Sequence, residues 1–356
     1  MMRHARTALA AAIFALPLAL PLAAQKATLP LWPHHPPEPP STTEPEKDVT
    51  TPQMPLISGH RSARLTPVMQ PMLYVYEPSK ALATHPAVLV FPGGGYSRLA
   101  WDGEGLDSCK WLNSVGVTCV LVKYRVPEER YPTSYADLED AQQAMRLTRA
   151  HAEEWNLNPK LIGILGFSAG AHLAVALSSH ADDTHVMSTP AADDVNSAIS
   201  AKADFAMVIY PAYTAADSDA GKLTVLDPNL APTKLTPTTF LLQAENDPVH
   251  VENAVVYFLA LKKAHIPAEM HLYPTGGHGF GLHPINSPES HWTDLATTWL
   301  RSIGVIPSGK GDETDGNFGG TPQTTPCAVH PTSIPARAGR PDTPNPPQQT
   351  NDPNCP

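Results

Sequence analysis

Gly166-Phe167-Ser168-Ala169-Gly170 sets a serine between two glycines, directly after the apolar run Leu161-Ile162-Gly163-Ile164-Leu165. A strand that turns this sharply into a helix strains the residue at the corner and projects its hydroxyl from the C-terminal edge of the sheet. Glycines on either side let strand and helix approach. The five-residue pattern is weak by itself; its place between a buried strand and a helix makes it informative. A serine hydroxyl is a poor nucleophile near neutral pH and needs a base within hydrogen-bond reach. At corners of this kind the acid and then the base follow the serine along the chain. The run Phe240-Leu241-Leu242-Gln243-Ala244 leads into Glu245-Asn246-Asp247-Pro248, where Asp247 is the preferred acid and Glu245 its competitor. Next, Glu269 to Tyr273 ends in Pro274-Thr275-Gly276-Gly277-His278-Gly279, and position and order favour His278 over His283 and His271 as the base. An oxyanion needs N–H donors: Gly93, Gly94 and Gly95 follow the Ala87–Phe91 run, and Ala169 opens a helix whose dipole favours negative charge. No Gly-Lys-Ser or Gly-Lys-Thr closes that glycine run, which argues against a phosphate loop.

The elements that must position these groups alternate along the chain. Leu73–Tyr76, Ala87–Phe91, Val117–Val122, Leu161–Leu165, Phe205–Tyr210, Thr239–Ala244 and Glu269–Tyr273 read as strands. Between and after them, helical patterns fall at Leu106–Asn113, around Leu138–Trp155, and at Ala169–Ser178, Val251–His265 and Trp292–Arg301. Continuous apolar strands alternating with helices imply a mainly parallel sheet covered on both faces, a doubly wound α/β domain over residues 61–305.

Forty of the 356 residues are proline, more than half of them before residue 72 or after Gly304. That is about twice the average proline content, and such density blocks helix. Residues 25–60 are accordingly expected to be a Pro-rich linker and 306–356 a disordered tail. Arg3 and Arg6, an apolar run to Leu20 and small residues at Ala23-Ala24 have the layout of an export signal over residues 1–24; Pro17 and Pro21 make it a poor membrane span. Four cysteines are too few to build a fold on disulfides. Cys109 and Cys119 read as plain core residues, whereas Cys327 and Cys355 in the tail could pair in an oxidising compartment. A net charge of −10 argues against a nucleic-acid partner. The pair His34-His35 and the run His180-Ala181-Asp182-Asp183-Thr184-His185 read as solvated segments rather than metal sites. Glu104, Arg125, Asp137, Asp140 and Arg146 read as structural ion pairs or solvated helix faces.

Taken in order, Phe91-Pro92-Gly93-Gly94-Gly95-Tyr96, Glu104-Gly105, Lys123-Tyr124-Arg125, Gly166–Gly170 with His172-Leu173-Ala174, Asp247-Pro248 and Gly276–Phe280 resemble the carbohydrate esterases of the α/β-hydrolase fold, the branch related to acetylxylan and feruloyl esterases. The resemblance spans about residues 60–300. It implies Ser168 as nucleophile, His278 as base, Asp247 as the acid orienting it, and no cofactor. Two departures stand out: Pro92 replaces a histidine that opens the glycine loop in many relatives, and Asn246 stands where a second acid often precedes the catalytic one.

The expected function is that of a secreted serine esterase acting on short acyl groups, acetyl above all, on carbohydrate. Only about 25 Ala/Asp/Pro-rich residues lie between Pro211 and Leu235, where such folds insert lids, leaving no room for a large cap. A peptidase of the prolyl-oligopeptidase kind would need an extra gating domain. A non-catalytic binding module would have no use for Ser168, Asp247 and His278 together.

Overall fold

The computed structural model describes residues 25–308, apart from 35, 39–40, 55, 58, 83, 184–195, 197, 217–222 and 284. The expected export signal and residues 309–356 of the expected tail, with Cys327, Cys355, His35 and His185, lie outside the described residues; Ile306, where the tail is expected to begin, is instead buried in the core.

Eleven strands run through the described residues. They are β1 (Gln25–Pro30), β2 (Lys47–Asp48), β3 (Arg64–Thr66), β4 (Met72–Tyr76), β5 (Ala87–Phe91), β6 (Leu99–Ala100), β7 (Thr118–Lys123), β8 (Ile162–Phe167), β9 (Phe205–Ile209), β10 (Thr238–Ala244) and β11 (Ala268–Tyr273). Five helices accompany them: α1 (Asp107–Ser114), α2 (Ala136–Ala150), α3 (Ala169–His180), α4 (Glu252–Lys263) and α5 (Trp292–Ser302). The main sheet has eight strands in the order β1-β4-β7-β5-β8-β9-β10-β11. From β7 to β11 every neighbour is parallel, while β1 and β4 add an antiparallel edge.

Strands β5, β7, β8 and β9 are buried at every residue, as a parallel sheet covered on both sides requires. Successive side chains feed opposite cores. Leu89, Phe91, Ile162 and Ile164 join Leu138, Met145, Leu173 and Tyr257 from α2, α3 and α4. Val88, Val90, Leu165 and Phe167 join Leu112, Trp292 and Trp299 from α1 and α5 on the other face. Strand order reverses at β5, which lies between β7 and β8. A crevice opens beyond the strand ends at such a point, so the loop after β5 and the turn after β8 face one another.

Two further expectations are corrected. The stretch from residue 25 is not all linker: β1 pairs along β4, and Leu31 and Trp32 behind it are buried. Proline is tolerated there because β1 is an edge strand and Pro30 ends it. The Trp32 indole donates to Asp140 at 2.8 Å, and Asp140 also receives the Arg125 guanidinium at 3.0 Å, so α2 and the chain after β1 are locked together. Cys109 and Cys119 are not plain core residues either. They form a disulfide that joins α1 to β7.

Arg125, Asp140 and Glu139 make a buried ion cluster, in which burial raises the Glu139 carboxyl to about 7. The Arg146 side chain donates to the Ile199 carbonyl at 3.1 Å. No helix among the described residues is long and apolar enough to cross a membrane.

Candidate active site

Ser168 stands between β8 and α3 with φ 52° and ψ −117°, a left-handed conformation that non-glycine residues avoid. The flanking glycines are there for space. A Cβ on Gly166 would lie 2.1 Å from the Gly170 carbonyl oxygen, and one on Gly170 would lie 2.1 Å from that of Phe91. Any side chain at either position would push helix from strand and unseat the corner.

The three groups on separate loops meet. Ser168 Oγ lies 2.8 Å from Nε2 of His278, and Nδ1 of His278 lies 2.7 Å from Oδ2 of Asp247. The Asp247 side chain is wholly buried and its other oxygen accepts from the Val249 N–H at 2.6 Å, so one oxygen is left to face the imidazole. Glu245 is exposed. The other histidines are engaged elsewhere: His283 pairs with Asp107 at 2.8 Å and His271 with Glu269 at 2.8 Å. Asn246, in the position noted as a departure, accepts the Gly277 N–H at 2.9 Å and so ties the histidine loop to the acid's turn.

On the glycine loop, the Gly93 N–H donates to Glu104 Oε2 at 2.6 Å. That corrects its expected place among the oxyanion donors, because a donor pointing at a carboxylate is turned away from the substrate. Gly94 and Gly95 line the pocket with Ser168 and His278. Ala169 follows Ser168 and begins α3, where the first N–H groups of a helix have no partner within it.

Glu104 is the residue that the local sequence concealed. It was expected in an ion pair or on a solvated face; it is instead 4% exposed, in a wide turn of π-helix over Trp101–Leu106. Its second oxygen accepts the Tyr210 hydroxyl at 2.9 Å, and the Tyr210 ring stands edge-on to His278 with centroids 5.3 Å apart. Burial raises its carboxyl above the usual range, opposed by the hydrogen bonds from Gly93 and Tyr210 and by the proximity of His278. Behind the loop, the Tyr96 hydroxyl and His172 Nδ1 lie 2.7 Å apart, and burial pulls the His172 ring down to about 3. His172 is therefore neutral, and its hydrogen bond pins Tyr96.

The pocket over Ser168 has a volume of about 320 Å³, and Arg64, Arg98, Ala212, Tyr213 and Val249 complete its walls. Among the described residues no group of three or more His, Cys, Asp or Glu side chains could hold a metal ion. His180 instead bonds Asp183 at 2.8 Å. A base, an activated hydroxyl and N–H donors at one strand edge can carry out acyl transfer.

A family model described as alpha/beta hydrolase fold matches residues 88–282, more than half of the chain. The chain is similar to an acetylxylan esterase of Xylanibacter ruminicola, 29% identical over 238 residues, which is 61% of this chain and 45% of the relative. It is also similar to endo-1,4-beta-xylanase B of Butyrivibrio fibrisolvens, 32% identical over 216 residues, 54% of this chain and 32% of the relative. The match thus spans less than half the length of either curated relative. Among solved structures, an acetyl ester-xyloside bifunctional hydrolase from Caldicellulosiruptor lactoaceticus superposes with a TM-score of 0.59 at 31% identity, covering 80% of this chain and 99% of that one.

Proposed function

The chain belongs to the α/β-hydrolase fold family, in its carbohydrate-esterase-like branch, and from that premise we propose that it is a serine esterase removing short acyl groups, acetyl above all, from carbohydrate. The observation that carries this reading is the continuous contact from the strained Ser168 through His278 to the buried Asp247. His278 Nε2 takes the Ser168 proton as Oγ attacks the ester carbonyl carbon, while Asp247 holds Nδ1–H and stabilises the imidazolium. The oxyanion rests on the Ala169 N–H and on N–H groups of Gly94 and Gly95, each such donor being worth about 3 kcal/mol in the transition state. Collapse expels the sugar oxygen, which leaves with the proton held by His278. Water then gives a proton to the same nitrogen and attacks the acyl-serine, releasing the acid and restoring Ser168.

A cavity of about 320 Å³ suits a short acyl group, as it lies at the small end of the usual ligand-pocket range. The relatives named for acetylxylan and for acetyl ester-xyloside hydrolysis support acetyl as the group and a sugar as its carrier. Export fits a polymeric substrate. Arg3, Arg6 and the apolar run to Leu20 support it, as does the Cys109–Cys119 disulfide, a bond that persists in oxidising compartments.

The test is acetate release from acetylated xylan together with p-nitrophenol release from acetate, butyrate and octanoate esters. Ser168→Ala should lose activity by about 10⁴-fold or more. Equal rates in the two proteins would end the esterase reading, and a preference for octanoate would end the short-acyl part of it.

A further inference from the structure

The chain as a whole is acidic, with 34 Asp and Glu against 24 Lys and Arg, yet the wall of the Ser168 pocket carries the opposite sign. Arg64 and Arg98 both line it. The acid on that wall, Glu104, is buried and already accepts from Gly93 and Tyr210. Arg64 is held in β3 beside β6, and its guanidinium donates to the Ser62 carbonyl at 3.2 Å. Arg98 is exposed, and among the described residues it forms no ion pair. Its backbone nonetheless belongs to the glycine-loop turn, closed by Ser97 N–H to the Gly94 carbonyl at 3.2 Å and Ala100 N–H to that of Gly93 at 2.9 Å. An exposed arginine with no acidic partner, on a fixed turn lining the same pocket as the nucleophile, offers its charge to whatever enters there, and the substrate is the group that does.

A short acyl group in ester linkage is uncharged, so the anion must belong to the alcohol half of the substrate. On a carbohydrate the anion within a few ångströms of an acylated hydroxyl is a uronate carboxylate, whose two oxygens match the planar guanidinium fork. We infer that this pocket selects acyl esters of acidic sugars, with Arg98 receiving a uronate carboxylate on or next to the acylated residue. The inference rests on the esterase reading of Ser168 and gives that site its substrate class.

The experiment compares kcat/KM for acetylated xylo-oligosaccharides with and without a glucuronosyl branch. Wild type should favour the acidic substrate about three- to fivefold, the scale of an exposed ion pair. The preference should shrink as salt rises from about 20 mM to about 500 mM. Arg98→Gln should bring the ratio close to one and Arg98→Lys should restore part of it. A wild-type ratio of one or less, or the same ratio in Arg98→Gln, overturns the inference. If neither substrate releases acetate, the esterase reading fails separately. The charge reading is then judged by titrating Ser168→Ala protein with the deacetylated, glucuronosyl-bearing oligosaccharide: adding Arg98→Gln must raise Kd, and an unchanged Kd overturns it.

Discussion

Glu104 offers the sharpest perturbation of the site that leaves every reacting group in place. Its carboxylate accepts from the Gly93 N–H at 2.6 Å and from the Tyr210 hydroxyl at 2.9 Å, and all three residues are buried. Replacement by alanine strands two buried donors, at about 1–3 kcal/mol each. A loss of about 3 kcal/mol corresponds to a fall in Tm of roughly 6–12 °C for a domain of this size. The larger effect is on rate. Gly93 leads directly into Gly94 and Gly95, and Tyr210 packs against the His278 ring. Displacing one oxyanion donor costs about 10²–10³ in kcat, and a loop loosened without being removed should lose about 10- to 100-fold. Glu104→Gln keeps the shape and one acceptor oxygen but turns an amide donor toward the other partner, so it should fall between wild type and Glu104→Ala. The assay is steady-state hydrolysis of p-nitrophenyl acetate with thermal denaturation alongside. Because the effect is on transition-state geometry, kcat should fall while KM changes little. A folded Glu104→Ala protein with kcat within threefold of wild type, or one altered only in KM, would refute a positioning role.

Two further outcomes follow from the same structure. The His172 ring, pulled down to about 3 by burial, binds its proton in the unfolded chain near 6.5 and in the folded one only near 3. Stability from this group is therefore full above pH 6.5 and lost as pH falls toward 3, with a slope of up to about 1.4 kcal/mol per pH unit. His172→Gln, whose amide can either donate to or accept from Tyr96, should flatten that limb in urea midpoints measured from pH 7 to 4, and an unchanged slope would remove His172 from the acid response. Trp32→Ala removes an indole that is 4% exposed and its bond to Asp140, so unfolding free energy should drop by about 3–5 kcal/mol. A drop below about 1 kcal/mol would mean that the chain after β1 is only loosely attached.

Much of the architecture could be read locally. Strands β5, β7, β8 and β9 are buried on both faces, so their sequences are nearly unbroken apolar runs, and a run of that kind announces itself without its neighbours. Ser168 was legible for a similar reason, since the glycines that permit the corner lie two residues either side of it. Asp247 and His278 followed from chain order and strand ends. β1 was not legible, because it is a half-exposed edge strand among prolines, and what holds it is β4 together with the contacts that Trp32 makes on α2.

Amino-acid order alone determined which segments could be buried strands and which side chains had the chemistry to attack, accept a proton or orient an imidazole. Only tertiary structure decided what those groups meet. Glu104 depends on Gly93, 11 residues away, and Tyr210, 106 away; the Cys109–Cys119 bond depends on α1 lying against β7; and Arg98 and Arg64 come to one wall because the β3–β6 pairing closes beside the glycine loop. The reason is physical: backbone propensity and apolar period are local properties, whereas a carboxylate's role is set by whichever donors the folded chain brings within 3 Å of it.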